Sequence, residues 1–177
     1  MTSTGKQIID FDARQNALDI TRSIAVQAPA GSGKTELLSL RFLKLLAACQ
    51  YPEEVLAITF TKKAANEMAQ RILNTLEWAQ QVDPQNIDTQ LKRDKYNIAN
   101  SVLEQDKKEA WQLLQSPNRL RIQTIDSFCN FLASKLPILS NFGGPLQISE
   151  QIDDCYHLAI RNSLKLLDED LPISNAI

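Results

Sequence analysis

The chain has 177 residues, 44% of them hydrophobic and 23% charged, with 19 basic and 21 acidic side chains and a formal net charge of −2. That is the composition of a globular protein long enough for one real core, and it excludes a polybasic coat, so any DNA contact must come from a local groove. No window approaches the roughly 20 apolar residues of a membrane span and the first ten residues carry no apolar signal core, so no membrane partner and a cytoplasmic location are expected.

Residues 1–6 read as a loose tail. After them Asp12 can cap a short helix that carries Ala13, Ala17 and Leu18 on one side. Gln15 lies about one turn in. Its amide can pair in bidentate fashion with N6 and N7 of adenine, or it can simply be a solvated helix glutamine. Residues 23–27, Ser-Ile-Ala-Val-Gln, form a short β-branched run of the kind a buried strand requires.

Ala28-Pro29-Ala30-Gly31-Ser32-Gly33-Lys34-Thr35 follows, and then Glu36 opens a run of good helix formers to Leu46. A strand, a tight loop and a helix N-terminus in that order make an anion site, because successive backbone N–H groups and the positive helix end converge. Gly31 and Gly33 let the backbone curl against a polyphosphate. Lys34 can reach β- and γ-phosphate oxygens, and the Thr35 hydroxyl can complete a Mg²⁺ shell. The spacing is that of a P-loop with one departure: Ala28 stands where the pattern asks for glycine. That change is small provided the backbone there needs no positive φ.

Residues 50–54 read as a turn, and residues 55–60, Val-Leu-Ala-Ile-Thr-Phe, as a central parallel strand buried on both faces. Ala65, Met68, Ala69, Ile72, Leu73 and Leu76 then form a stripe at helical spacing. Alternating strands and helices argue for α/β with a parallel sheet. Ligands bind such sheets beyond the carboxyl ends of the strands, where Thr59, Phe60, Thr61 and Lys62 fall. Phe60 can stack a base there, or can merely end a core strand. Residues 77–117 read as a helical insertion without chemistry of its own, broken at Val82-Asp83-Pro84 and anchored by Trp78 and Trp111. A strand signal returns at residues 119–124. A helix follows from Ile125, with Thr124 or Asp126 as its cap, and Thr124, Asp126 and Ser127 are short polar groups able to meet a phosphate backbone. Residues 137–145 read as a linker and lead to a last helix through Cys155 and Leu164. The three cysteines match no metal or redox spacing and read as reduced thiols, while the lone His157 cannot build a histidine cluster.

Four pieces carry a resemblance: Phe11-Asp12-Ala13-Arg14-Gln15, the loop from Ala28 to Thr35, the run Leu56-Ala57-Ile58-Thr59-Phe60-Thr61-Lys62-Lys63-Ala64-Ala65-Asn66-Glu67-Met68, and Ile122-Gln123-Thr124-Ile125-Asp126-Ser127-Phe128-Cys129. In this order they resemble the adenine-reading Q motif, motif I, motif Ia and the next DNA-contact motif of UvrD/Rep-type superfamily 1 DNA helicases. The last piece is closer to RecB/AddA helicase–nuclease subunits, although Asp126 stands where that branch usually has histidine. The resemblance implies a P-loop NTPase fold of RecA-like type, with helices on both faces of a parallel sheet. It implies that Gln15, Ala28, Ala30, Gly31, Ser32, Gly33, Lys34, Thr35 and Glu36 bind ATP, with Lys34 and Thr35 catalytic and Thr35 on Mg²⁺. It implies that Thr59, Phe60, Thr61, Lys62 and Thr124 contact single-stranded or duplex DNA, and that the partners include a second helicase–nuclease subunit.

The carboxylate pair that should follow an apolar strand is missing, since Asp168-Glu169-Asp170 sits in a polar stretch. The expectation is therefore part of one motor domain over residues 1–146 and a truncated helical subdomain over residues 147–177. Such a piece would be inactive alone and would leave an apolar sheet face uncovered. Two rivals remain at this stage: a small P-loop phosphotransferase, and a non-catalytic nucleotide-binding module.

Overall fold

The computed structural model describes residues 11–136 and 152–165. The tail, the 137–145 linker and Asp168-Glu169-Asp170 lie outside the described residues. The chain divides into two compact units, residues 1–130 and 131–177.

The first unit opens with helix α1 (Phe11–Ala17), in which Asp12 sits in the first turn. Helix α2 (Lys34–Leu46) follows the Gly-rich loop and buries Leu37, Phe42, Leu43 and Leu46. Strand β1 (Leu56–Thr59) leads to helix α3 (Lys62–Gln81). Thr61 is the N-cap of α3: its hydroxyl accepts from the Ala64 N–H at 3.1 Å. One face of α3 buries Ala65, Met68, Ile72 and Leu76 of the expected stripe, with Ala69 and Leu73 half-buried beside them, and adds Ala79. The helix stops at Val82, ahead of a 3₁₀ turn that begins with Pro84.

Helix α4 (Gln90–Glu109), capped by Thr89, packs against both α2 and α3 through Ile98, Ala99 and Val102. Past its end the Asp106 carboxylate accepts from the Leu113 N–H, and the buried Trp111 donates its indole N–H to the Gln50 carbonyl at 3.0 Å. Trp78 meets Tyr96 edge to face with ring centroids 6.4 Å apart. A 3₁₀ turn over Pro117–Arg119 precedes strand β2 (Arg121–Thr124), so the strand starts two residues later than its signal. Arg119 forks onto the Glu53 carboxylate at 2.7 and 3.2 Å instead of joining the ladder. Helix α5 (Ile125–Lys135) begins directly at the end of β2.

β1 and β2 pair in parallel, with Leu56 opposite Arg121 and Thr59 opposite Thr124. Ala57 and Ile122 face the helical core, packed against it. Two expectations are corrected here. β1 is not buried on both faces: Leu56 and Ile58 remain 38% and 48% exposed. Residues 23–27 do not join the sheet, and Ile24 and Val26 are exposed. The cause is common to both. A strand needs a neighbour for its N–H and C=O groups and a layer over each apolar face. Among the described residues the sheet has two strands and helices on one face, so the β-branched run has no ladder to enter.

In the second unit the described residues are the end of α5 and helix α6 (Ile152–Lys165). Lys135 lies 5.6 Å from the Phe131 ring centroid, a cation–π contact.

Candidate nucleotide and DNA site

The Gly-rich loop is shaped by two backbone conformations that L side chains avoid. Gly31 has φ +76° and Gly33 has φ +83°. Gly33 is the N-cap of α2 in the left-handed region, and a Cβ there would lie 3.3 Å from the Arg14 guanidinium. Ala28 is not among the residues with positive φ, so its methyl is tolerated. The first intrahelical bond of α2 runs from the Leu37 N–H to the Gly33 carbonyl, which leaves the amides of Lys34, Thr35 and Glu36 without a partner inside the helix. These donors sit at the positive end of the helix dipole.

A cavity of about 240 Å³ is bounded by Ala28, Ser32, Gly33 and Lys34 of the loop, by Arg14 of α1, and by Ile24 and Val26. The buried Ser32 hydroxyl has no hydrogen-bond partner. An orphaned hydroxyl, two positive-φ glycines and free first-turn amides are the donor set that a polyphosphate satisfies. The residues therefore fit a nucleotide. The Lys34 ammonium donates to the carbonyls of Ala28 and Pro29 at 2.7 and 2.6 Å, so engaging phosphate exchanges these two bonds for phosphate oxygens. Ala30, Gly31 and Thr35 are exposed on the same loop. Among the described residues no group of three or more His, Cys, Asp or Glu could hold a metal ion.

Glu36 lies off that cavity. Its carboxylate accepts from Arg71 of α3 at 2.9 Å and Lys95 of α4 at 3.0 Å. Burial works against its ionisation, but the Lys95 and Arg71 hydrogen bonds outweigh it and hold the pKa below the ordinary carboxylate value. Gln15 also lies off the loop cavity, donating its amide N–H to Asp94 of α4 at 3.2 Å.

Two arginines that sequence patterning did not single out hold the loop in place. Arg14 donates to the Ser32 carbonyl at 2.7 Å. Arg41 donates to the carbonyls of Ala17, Asp19 and Arg22 at 2.7 to 2.8 Å, pinning the segment that follows α1 onto α2. Asp19 closes a turn there by accepting from Thr21, and those hydrogen bonds lower its pKa.

The second cluster forms at the carboxyl end of the sheet. The ladder register places Thr59 beside Thr124. Phe60 is 92% exposed and Lys62 is exposed, while the Thr59 hydroxyl donates to the Thr61 carbonyl at 3.0 Å. The first turn of α3 holds Lys62 and Lys63 and no acid. Cations at a helix N-terminus oppose the dipole. Their presence concentrates positive potential beside an exposed ring. Thr124 is 5% exposed and caps α5 by accepting from the Ser127 N–H at 3.2 Å.

The UvrD/REP helicase N-terminal domain family matches residues 9–176. Among curated proteins the chain is 37% identical over 132 residues to the A subunit of the ATP-dependent helicase/nuclease of Moorella thermoacetica, covering 73% of this chain and 8% of that protein. It is 29% identical over 150 residues to the RecB subunit of the RecBCD enzyme of Borreliella burgdorferi, covering 82% of this chain and 11% of that one. Against ATP-dependent DNA helicase Rep of Buchnera aphidicola it is 40% identical over 62 residues, covering 34% of this chain and 10% of Rep. The chain thus spans about a tenth of the length of the curated relatives it matches. No solved structure matches it. The loop, the helix it feeds and the exposed aromatic edge accordingly sit in a chain that belongs to the UvrD/Rep helicase amino-terminal domain family.

Proposed function

We propose that this chain is the ATP- and DNA-binding portion of an ATP-dependent DNA helicase or translocase of 3′-to-5′ type, the motor of a helicase–nuclease that acts in double-strand-break processing. The observation that carries the reading is the phosphate loop, with positive φ at Gly31 and Gly33, the orphaned Ser32 hydroxyl and Lys34 within it. The family match and the two helicase–nuclease relatives support the substrate and the setting.

In this reading Ala28, Ala30, Gly31, Ser32 and Gly33 cradle phosphate through their backbone, joined by the first-turn amide of Glu36. Lys34 neutralises β/γ charge, Thr35 holds Mg²⁺ and Gln15 selects adenine. Phe60 is a stacking step for single-stranded DNA, with Thr59, Thr61, Lys62 and Thr124 as the polar groups along its backbone, Thr124 also fixing the N-terminus of α5. Residues 77–117 are the helical insertion and residues 147–177 the start of a helical subdomain, and the partner is a second helicase–nuclease subunit. The sequence has no acidic pair after an apolar strand to activate water, so residues 1–177 alone do not turn ATP over.

Lys34→Ala is the test. The full protein carrying it loses ATP turnover by at least about a hundredfold, as expected for removing a charge-stabilising donor. ATPase that survives the substitution contradicts the assignment.

A further inference from the structure

A second cavity of about 240 Å³ lies between α1, α2 and α4, walled by Phe11, Leu18, Leu40, Leu91 and Ile98, with Gln15 and Asp94 together in its lining. Arg14 and Leu37 line this cavity and the phosphate-loop cavity alike, so the two adjoin. Arg14, Glu36, Lys92 and Lys95 line it as well; the apolar side chains suit a flat base, and Gln15 and Asp94 supply edge contacts that orient one.

We infer that Asp94 is a positioning residue for purine selection: it fixes which end of the Gln15 amide faces the base. The inference rests on the reading of Gln15 as the adenine contact. Asp94 accepts from the Gln15 Nε2 at 3.2 Å through one carboxylate oxygen and from the Gln90 Nε2 at 2.8 Å through the other. An ionised carboxylate only accepts. The amide is therefore held by its nitrogen, and its Oε1 and second N–H are left to face a ligand.

Adenine offers an N6 donor beside an N7 acceptor, which this oriented amide matches atom for atom. Guanine offers O6 and N7, both acceptors, so its O6 meets the fixed Oε1 with lone pair against lone pair. A glutamine free to rotate by 180° would lose this distinction, because either end could be presented. Asp94 thus converts an ambiguous amide into one that distinguishes ATP from GTP.

The test is equilibrium competition of ATP and of GTP against a fluorescent ATP analogue on the full protein, for wild type, Gln15→Ala, Asp94→Ala and Asp94→Asn. A bidentate base contact is worth about 1–3 kcal/mol of discrimination, so the ATP-to-GTP affinity ratio is expected to fall at least about fivefold in Gln15→Ala and in both Asp94 variants. Asp94→Asn keeps shape and volume, and its circular dichroism is expected to match wild type, so folding does not confound it. A ratio lost in Gln15→Ala but kept in both Asp94 variants overturns the role of Asp94 and leaves Gln15 as the reader. A ratio unchanged in Gln15→Ala, or absent in wild type, overturns the adenine reading itself and this inference with it. Equal weakening of both nucleotides in the Asp94 variants shows a merely structural contact and also overturns the inference.

Discussion

Phe60 is 92% exposed, at the end of a strand whose other residues are at most half-exposed. Hydrophobic burial gives no reason for an aromatic in that position, and base stacking does. Removing the ring should cost about 1–3 kcal/mol of single-strand DNA affinity, roughly 5- to 150-fold, and leave the unfolding midpoint unchanged because the ring packs on little. Fluorescence anisotropy of a labelled oligonucleotide on Phe60→Ala checks this, and unchanged affinity would remove Phe60 from the DNA path. At this scale the loop was readable beforehand, because only glycine adopts the +76° and +83° φ values at low cost and the pattern marks those positions. Arg14 and Arg41 were not readable. Their partners are backbone carbonyls 18 to 24 residues away, and a carbonyl has no residue-type signature.

Among the elements, one side chain bridges α2, α3 and α4 beside their apolar packing. Glu36 in the first turn of α2 accepts from Arg71 of α3 and Lys95 of α4. Its pKa lies below the ordinary 4.5 in the folded chain despite burial, because the Lys95 and Arg71 bonds favour the charged form. A depressed carboxylate pKa means stability that is present above about 4.5 and is lost as pH falls through the lower folded value. With the side chain 35% exposed, solvent screening holds the contribution to about 1 kcal/mol or less. Urea unfolding of Glu36→Gln against wild type should show a difference of that size at pH 7 that closes as the pH falls below the ordinary carboxylate value. A gap that does not close would mean the triad is not what Glu36 contributes. The stripe on α3 was legible because a 3.6-residue period survives any tertiary context. The strand expected over residues 23–27 was not, because sheet membership is decided by a neighbouring strand and not by β-branched residues.

At the level of the whole molecule, the described sheet keeps one apolar face covered by helices and leaves Leu56 and Ile58 open on the other. The sequence carried the parallel α/β order and the positions of Thr59 and Thr124 at strand ends, since both follow from chain order, while the register that sets them side by side comes from the ladder. The open face was readable too, since the few strands in the sequence cannot supply a layer for both sides of a sheet. A phosphate loop and an exposed aromatic edge that serve one DNA motor must couple ATP hydrolysis to the strand. ATP hydrolysis by the full protein, measured with and without single-stranded DNA, tests that coupling most directly. Turnover that rises at least about tenfold on adding single-stranded DNA is the predicted result, and turnover indifferent to DNA would contradict the account.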